Sequence, residues 1–151
     1  MSTSARPRFS QLTRDEAERL LERNHVGRMA FSFRDHVDIE PIHYVYFEGW
    51  IYGRTSPGEK MTMIAHHPYV AFEVDEVEGI FDWRSVVVQG TVYPLDPLGS
   101  PNEQLVYPLG LELLRTLVPE TLDEGDPTPF RTLLFRIHVR EVTGRSSTTK
   151  P

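Results

Sequence analysis

Trp50-Ile51-Tyr52-Gly53-Arg54-Thr55-Ser56-Pro57-Gly58-Glu59-Lys60 passes from an aromatic, β-prone run to a helix start within a few residues. Trp, Ile and Tyr suit a pleated, half-buried surface, so Trp50–Thr55 reads as a strand. Ser56 as N-cap, Pro57 at the first helical position and Glu59 three residues past the cap form a capping signature. The strand therefore delivers Arg54, Thr55, Ser56 and Lys60 to a helix N-terminus. Free backbone N–H groups favour an anion there, and cationic side chains and hydroxyls add charge-assisted hydrogen bonds. The segment is a candidate phosphate cradle in a small β protein, which points to a nucleotide-type cofactor. The same Ser-Pro-x-Glu start recurs at Ser100 without the cations, so the cationic company carries the signal and the cap does not. Glu59 opposes an anion from the same turn.

Upstream of this stretch, Thr13 and Glu16 form a capping box, Leu12 can staple to Ala17, and Ala17, Leu20 and Leu21 give one apolar stripe. That helix should end near Asn24. Val26–Phe33 and residues 37–47 read as strands joined by Arg34-Asp35-His36, and Glu48-Gly49 turns into Trp50. Downstream, the helix is expected to run from Pro57 to about His66, where Pro68 ends it. Residues 69–75 and 83–95 are further strands. The continuous Val86-Val87-Val88 suggests burial on both faces. Ser100 opens a third helix that Pro108 should kink or split. In residues 131–142, Leu133, Phe135, Ile137 and Val139 alternate with Arg136, His138 and Arg140. About six strands in regular succession, with helices between, predict a mainly β fold: a closed or nearly closed antiparallel barrel with peripheral helices.

The bulk properties fit this. A chain of 151 residues is expected to form one domain, residues 11–145, between a disordered N-terminus (1–10) and a disordered tail (146–151). A net charge of −6, with no basic run, argues against a nucleic-acid surface. The absence of cysteine excludes disulfides, thiolate metal sites and cysteine nucleophiles. No apolar run reaches the length of a membrane span, and residues 1–10 lack a signal-peptide core. The expected location is the cytoplasm.

Other signals bear on chemistry. His66-His67 are adjacent and point about 100° apart on a helix, so they do not readily share a metal ion. Asp75, Glu76 and Glu78 read as a solvated acidic loop. Trp83-Arg84-Ser85 sets an aromatic beside a cation and a hydroxyl, a combination that can flank a planar ligand or simply pack at a barrel end. Pro41, in Pro41-Ile42-His43-Tyr44, interrupts a strand pattern, which suggests an edge or bulge whose free backbone groups can meet a ligand.

Taken in order, these segments resemble the pyridoxamine 5′-phosphate oxidase-like superfamily of FMN-binding split barrels, in particular the branch that includes nitroimidazole-resistance proteins. The resemblance spans residues 12–145. It rests on Val26-Gly27-Arg28-Met29-Ala30, Pro41-Ile42-His43-Tyr44-Val45, Ile51-Tyr52-Gly53-Arg54-Thr55-Ser56 with Lys60, and His67-Pro68-Tyr69-Val70-Ala71-Phe72-Glu73-Val74-Asp75. Trp83-Arg84-Ser85-Val86-Val87-Val88-Gln89-Gly90 and Glu141-Val142-Thr143-Gly144-Arg145 complete it.

The resemblance implies a six-stranded antiparallel split barrel that forms a homodimer, with FMN between the subunits. Arg54, Thr55, Ser56 and Lys60 would hold the flavin phosphate. Pro41, Ile42, His43 and Tyr44 would run along the ring, where no side chain need act as general acid although His43 or Tyr44 could donate a proton. Trp83, Arg84, Ser85 and Val86 would close the site, from the same subunit or its partner. The implied activity is reduction of a small electron acceptor, a nitro compound or quinone, at the expense of a nicotinamide. Two departures stand out. Glu59 replaces a basic residue of the oxidase, and Arg136-Ile137-His138 has the oxidase's substrate-binding spacing but sits in mid-strand, which argues against pyridoxamine phosphate as substrate. The same fold also admits a deazaflavin, or a haem ligated by His43, His66 or His67. Glu59 favours a third alternative, a non-catalytic flavin carrier or sensor.

Overall fold

The computed structural model describes residues 6–151. Its strands are β1 (Arg8–Gln11), β2 (Val26–Phe33), β3 (His36–Phe47), β4 (Trp50–Thr55), β5 (Tyr69–Gly79), β6 (Asp82–Leu95) and β7 (Leu133–Thr148). The helices are α1 (Arg14–Arg23), α2 (Glu59–His66) and α3 (Pro101–Arg115). None is long and apolar enough to cross a membrane.

The sheet order is β1-β7-β4-β3-β2-β5-β6, all neighbours are antiparallel, and β6 also pairs with β7. Six strands, β2 to β7, therefore close a ring, and β1 adds to it. One edge of β7 serves two partners: β4 along residues 133–138 and β1 along residues 145–148. The ring is split between them.

Alternation fills the barrel. Met29 and Phe31 of β2, Tyr44 of β3, Phe72 and Val74 of β5, Val86 and Val88 of β6, and Ile137 of β7 are buried inward. Ala17, Leu20 and Leu21 of α1 and Met63 and Ile64 of α2 pack on this core. A smaller cluster of Tyr52, Leu95, Leu114 and Leu134 lies outside the ring under α3. There the helix backbone comes close: a Cβ on Gly110 would sit 3.1 Å from Leu95 Cδ1.

Thr13 caps α1, Glu16 closes the box, and Asn24 ends the helix. The turn before β4 uses left-handed Glu48 (φ 49°) and Gly49 (φ 83°). Other expectations need correction. The acidic residues are not a loop: β5 continues through them to Gly79, paired with the start of β6. Only Val86 and Val88 are buried in the valine run, and Val87 faces outward. α3 runs unbroken through Pro108, held by its Ser100 cap and the contact at Gly110.

The termini were expected to be disordered. Residues 1–5 lie outside the described residues, but Arg8–Gln11 form β1 and β7 continues to Thr148. The two segments satisfy each other's backbone, from Arg8 opposite Thr148 to Gln11 opposite Arg145. The Ser10 and Ser146 hydroxyls meet at 2.8 Å, and Thr149 donates its N–H to Asp82 at 2.8 Å. Polar residues that pair with each other leave no hydrophobic signal.

Candidate functional site

β4 delivers its last residues to the mouth of a cleft of about 370 Å³ beside α2. The cleft is lined by Pro41, Ile42 and His43 of β3, by residues 54–60, and by Glu40, Phe130 and Arg131. Seven of the expected site residues thus share one cavity: Pro41, Ile42, His43, Arg54, Thr55, Ser56 and Lys60.

The corner is not built as the capping signature predicts. Ser56 does not cap α2. The N-cap is Gly58, at φ 152°, with no side-chain hydrogen bond. At Ser100 the same signature does form, with Ser100 Oγ accepting from Glu103 N at 3.2 Å. The two differ at the third position, Asn102 against Gly58. Glycine is free to leave the first turn into left-handed space, so the chain stays loose past Pro57 and enters the helix two residues later.

Both expected phosphate cations already have partners. Arg54 forks onto Asp126 with bonds of 2.6 and 2.8 Å and donates to Thr128 Oγ1 at 2.8 Å and to the Arg131 carbonyl at 3.4 Å. The Arg54 guanidinium, aided by N–H bonds from Thr128 and Leu122, holds the Asp126 carboxyl well below the usual carboxylate range. Lys60 pairs with Glu40. Thr55 is buried.

Tyr44 and Val86 do not reach the cleft. The strand period turns Tyr44 into the barrel, where its hydroxyl donates to the Leu21 carbonyl at 2.8 Å and burial pushes its pKa upward. Only its backbone remains available to a ligand, whereas the His43 side chain is exposed at the cleft. Val86 is fully buried in the core.

Trp83, Arg84 and Ser85 occupy a different surface. Trp83 packs near Phe9, with ring centroids 6.5 Å apart, and the two border a cleft with Gln11 and Arg145. Arg84 lies 3.5 Å from Glu76, and Ser85 donates to Glu73 at 2.9 Å. Along β7, the partner of Arg54 is Leu134 and the partner of Ser85 is Arg145. At about 3.3 Å per residue, these positions lie about 36 Å apart as measured along the strand. The two groups line separate cavities of the chain.

Arg136 and His138 are also remote from the cleft. The Arg136 guanidinium stacks 3.5 Å from the Trp50 ring centroid, and His138 lies 4.9 Å from the same ring, on the outside of the barrel. The Arg-x-His spacing therefore serves surface packing on Trp50.

Sequence reasoning missed Glu40, Asp126, Thr128, Phe130 and Arg131. A local signal for two of them was present: Asp126-Pro127-Thr128 is a turn sequence, and Asp126 Oδ1 accepts from Thr128 N at 2.9 Å. Nothing local links that loop to Arg54.

A sequence model of the pyridoxamine 5′-phosphate oxidase family matches residues 13–146 of this chain. The chain belongs to that family. An uncharacterised protein of Rhizobium meliloti is 28% identical over 144 residues, covering 90% of this chain and 93% of that protein. Among solved structures, an FAD-binding protein from Mesorhizobium loti superposes with a TM-score of 0.74 at 27% identity, over 93% of this chain and 98% of that one. A Bacteroides thetaiotaomicron protein provisionally described as a 5-nitroimidazole antibiotic resistance protein gives a TM-score of 0.67 at 14% identity, covering 92% and 87%. At that identity the likeness concerns the fold, which this chain shares with the two solved structures.

Proposed function

We propose that this family member is a flavin-nucleotide oxidoreductase whose cofactor phosphate enters the cleft between β4 and α2. The observation that carries the reading is the convergence of Arg54, Thr55, Ser56 and Lys60 with Pro41, Ile42 and His43 on one 370 Å³ cavity. That donor set fits the group: cations and hydroxyls for a phosphoryl tail, and an apolar strand surface for a ring. The FAD-binding Mesorhizobium relative supports a flavin, and FMN is the smallest nucleotide with the required tail.

When bound, a flavin would supply hydride and electron transfer, and the protein would supply orientation and electrostatics. The exposed Pro41 ring and the backbone of β3 offer the strand surface for the ring, and His43, two residues on and on the same face as Pro41, stands beside it. Lys60 and the Thr55 and Ser56 hydroxyls would take the phosphoryl oxygens.

The distance along β7 between the cleft and Trp83-Arg84-Ser85 supports a homodimer in which those residues of one copy meet the cleft of the other. The substrates under this reading are a nicotinamide reductant and a small acceptor, a nitro compound or quinone. Titrating the purified protein with FMN, FAD and riboflavin tests the cofactor. Lys60→Ala should weaken FMN binding about tenfold, or 1.4 kcal/mol; unchanged affinity removes Lys60 from the site. Sedimentation equilibrium tests the dimer, and a monomer at micromolar concentration would refute it.

A further inference from the structure

The cleft holds three cations, and two of them are already neutralised. Arg54 is bound to Asp126 through both nitrogens, and Lys60 is paired with Glu40. Arg131 lines the same cleft and, among the described residues, its side chain makes no hydrogen bond and no ion pair. Its guanidinium rests 5.8 Å from the Phe130 ring centroid, a contact that leaves its N–H groups available.

The backbone of Arg131 is well fixed. Its N–H donates to the Thr128 carbonyl at 3.0 Å, and its carbonyl accepts from Arg54 at 3.4 Å. Two residues further on, Leu133 pairs with Thr55 across the β4–β7 ladder. The fork between Arg54 and Asp126 thus ties the loop before β7 to β4, at the point where the cleft opens. Arg131 also borders an adjoining apolar space of about 120 Å³ shared with His43, Leu114 and Val118.

We infer that Arg131 is the primary anion-binding residue of this cleft and receives the phosphoryl group of the ligand. Arg54 holds the loop that carries it. The inference deepens the flavin-nucleotide reading and rests on it for the identity of the ligand. An anion approaching Lys60 must compete with Glu40, and one approaching Arg54 must displace a buried carboxylate. An anion approaching Arg131 displaces only water. A guanidinium also offers the planar pair of donors that a phosphoryl group accepts.

The test is the ratio of FMN to riboflavin affinity in wild type and Arg131→Gln, measured by quenching of flavin fluorescence. Because the Arg131 side chain has no partner in the fold, Arg131→Gln should melt within a few degrees of wild type. The expected result is loss of the FMN preference by about tenfold or more, with riboflavin affinity unchanged. Arg131→Lys, which keeps the charge but not the fork, should recover part of it. A full FMN preference in Arg131→Gln overturns the inference and leaves the flavin reading intact. If wild type binds no flavin, the flavin reading fails and pyrophosphate decides: thermal protection of wild type that is lost in Arg131→Gln supports Arg131, and equal or absent protection overturns it.

Discussion

Arg54 and Asp126 form a two-pronged ion pair, at 2.6 and 2.8 Å, in a setting where 9% of the arginine side chain and 1% of the carboxylate meet solvent. Breaking a buried pair strands the remaining charge, so Arg54→Gln should lower the melting temperature by roughly 10 °C. Arg54→Lys should fall between the two, because an ammonium cannot reproduce the fork. Asp126 is held below its ordinary pKa, chiefly by Arg54. Its contribution is therefore complete above the unfolded carboxylate pKa and is lost as pH falls through the depressed folded value. Thermal melts of the three proteins from neutral pH into the acid range check this, and an unchanged Arg54→Gln melting temperature at neutral pH would show that the pair is dispensable.

Glu76 gives a second, shallower acid dependence. It accepts from Arg23 at 2.6 and 2.7 Å and from Asn24 at 2.7 Å, with the Arg23 bonds the main reason its pKa drops to about 2. The unfolded value is about 4.3. The stabilisation is present above that pH and disappears on acidification toward 2. Glu73 works in the opposite direction, since burial raises its pKa and protonation relieves the cost of burying the charge. Glu76→Gln should be less stable than wild type at pH 7, with the gap closing below pH ~4. Urea melts across that range measure the gap, and a gap independent of pH contradicts the assignment.

Gly90 sits at the register shift where β6 closes the ring on β7. A Cβ there would lie 2.4 Å from Ile137 Cγ2 and 2.7 Å from the His138 carbonyl oxygen. The oxygen belongs to the ladder and cannot move without opening it. Gly90→Ala should cost about 1–3 kcal/mol. Gly79→Ala, whose nearest neighbour would be Asp82 Oδ2 at 3.8 Å, should be nearly neutral. Equal effects of the two in denaturant unfolding would mean that the closure of the ring is looser than described.

The barrel was legible because its strands alternate and its turns carry Gly49 and Pro68. Thr13 and Glu16 marked the start of α1 directly. What was not legible involves pairing at long range. Arg54 and Asp126 are 72 residues apart, and Ser10 and Ser146 are 136 apart, so no local pattern joins either pair. The terminal strands are polar and the Glu76 segment is acidic, and both resemble solvated chain until a partner strand is known. Residues 54–60 were found as a cluster, but not that the chain's own carboxylates already occupy both cations. The family resemblance places Tyr44 along the ligand, whereas the two-residue strand period turns it into the core.

Glu40 offers a way to tune the cleft. Its carboxylate pairs with Lys60, the cation that also stands nearest the helix start. Glu40→Gln frees the ammonium and removes a negative charge that repels phosphate. FMN affinity should rise by a few-fold to about tenfold, with riboflavin unaffected, since Glu40 opposes only the anionic tail. Isothermal titration of both ligands separates the two effects. A fall in FMN affinity would mean that Glu40 positions Lys60 for the ligand and does not compete with it.

The most direct measurement is an equilibrium titration of the purified full-length protein with FMN and with riboflavin, followed by flavin fluorescence. The expected result is saturation at about one FMN per chain, with riboflavin at least about tenfold weaker for want of a phosphate. FMN and riboflavin binding equally well, or neither binding saturably, would contradict a nucleotide held by its phosphate between β4 and α2.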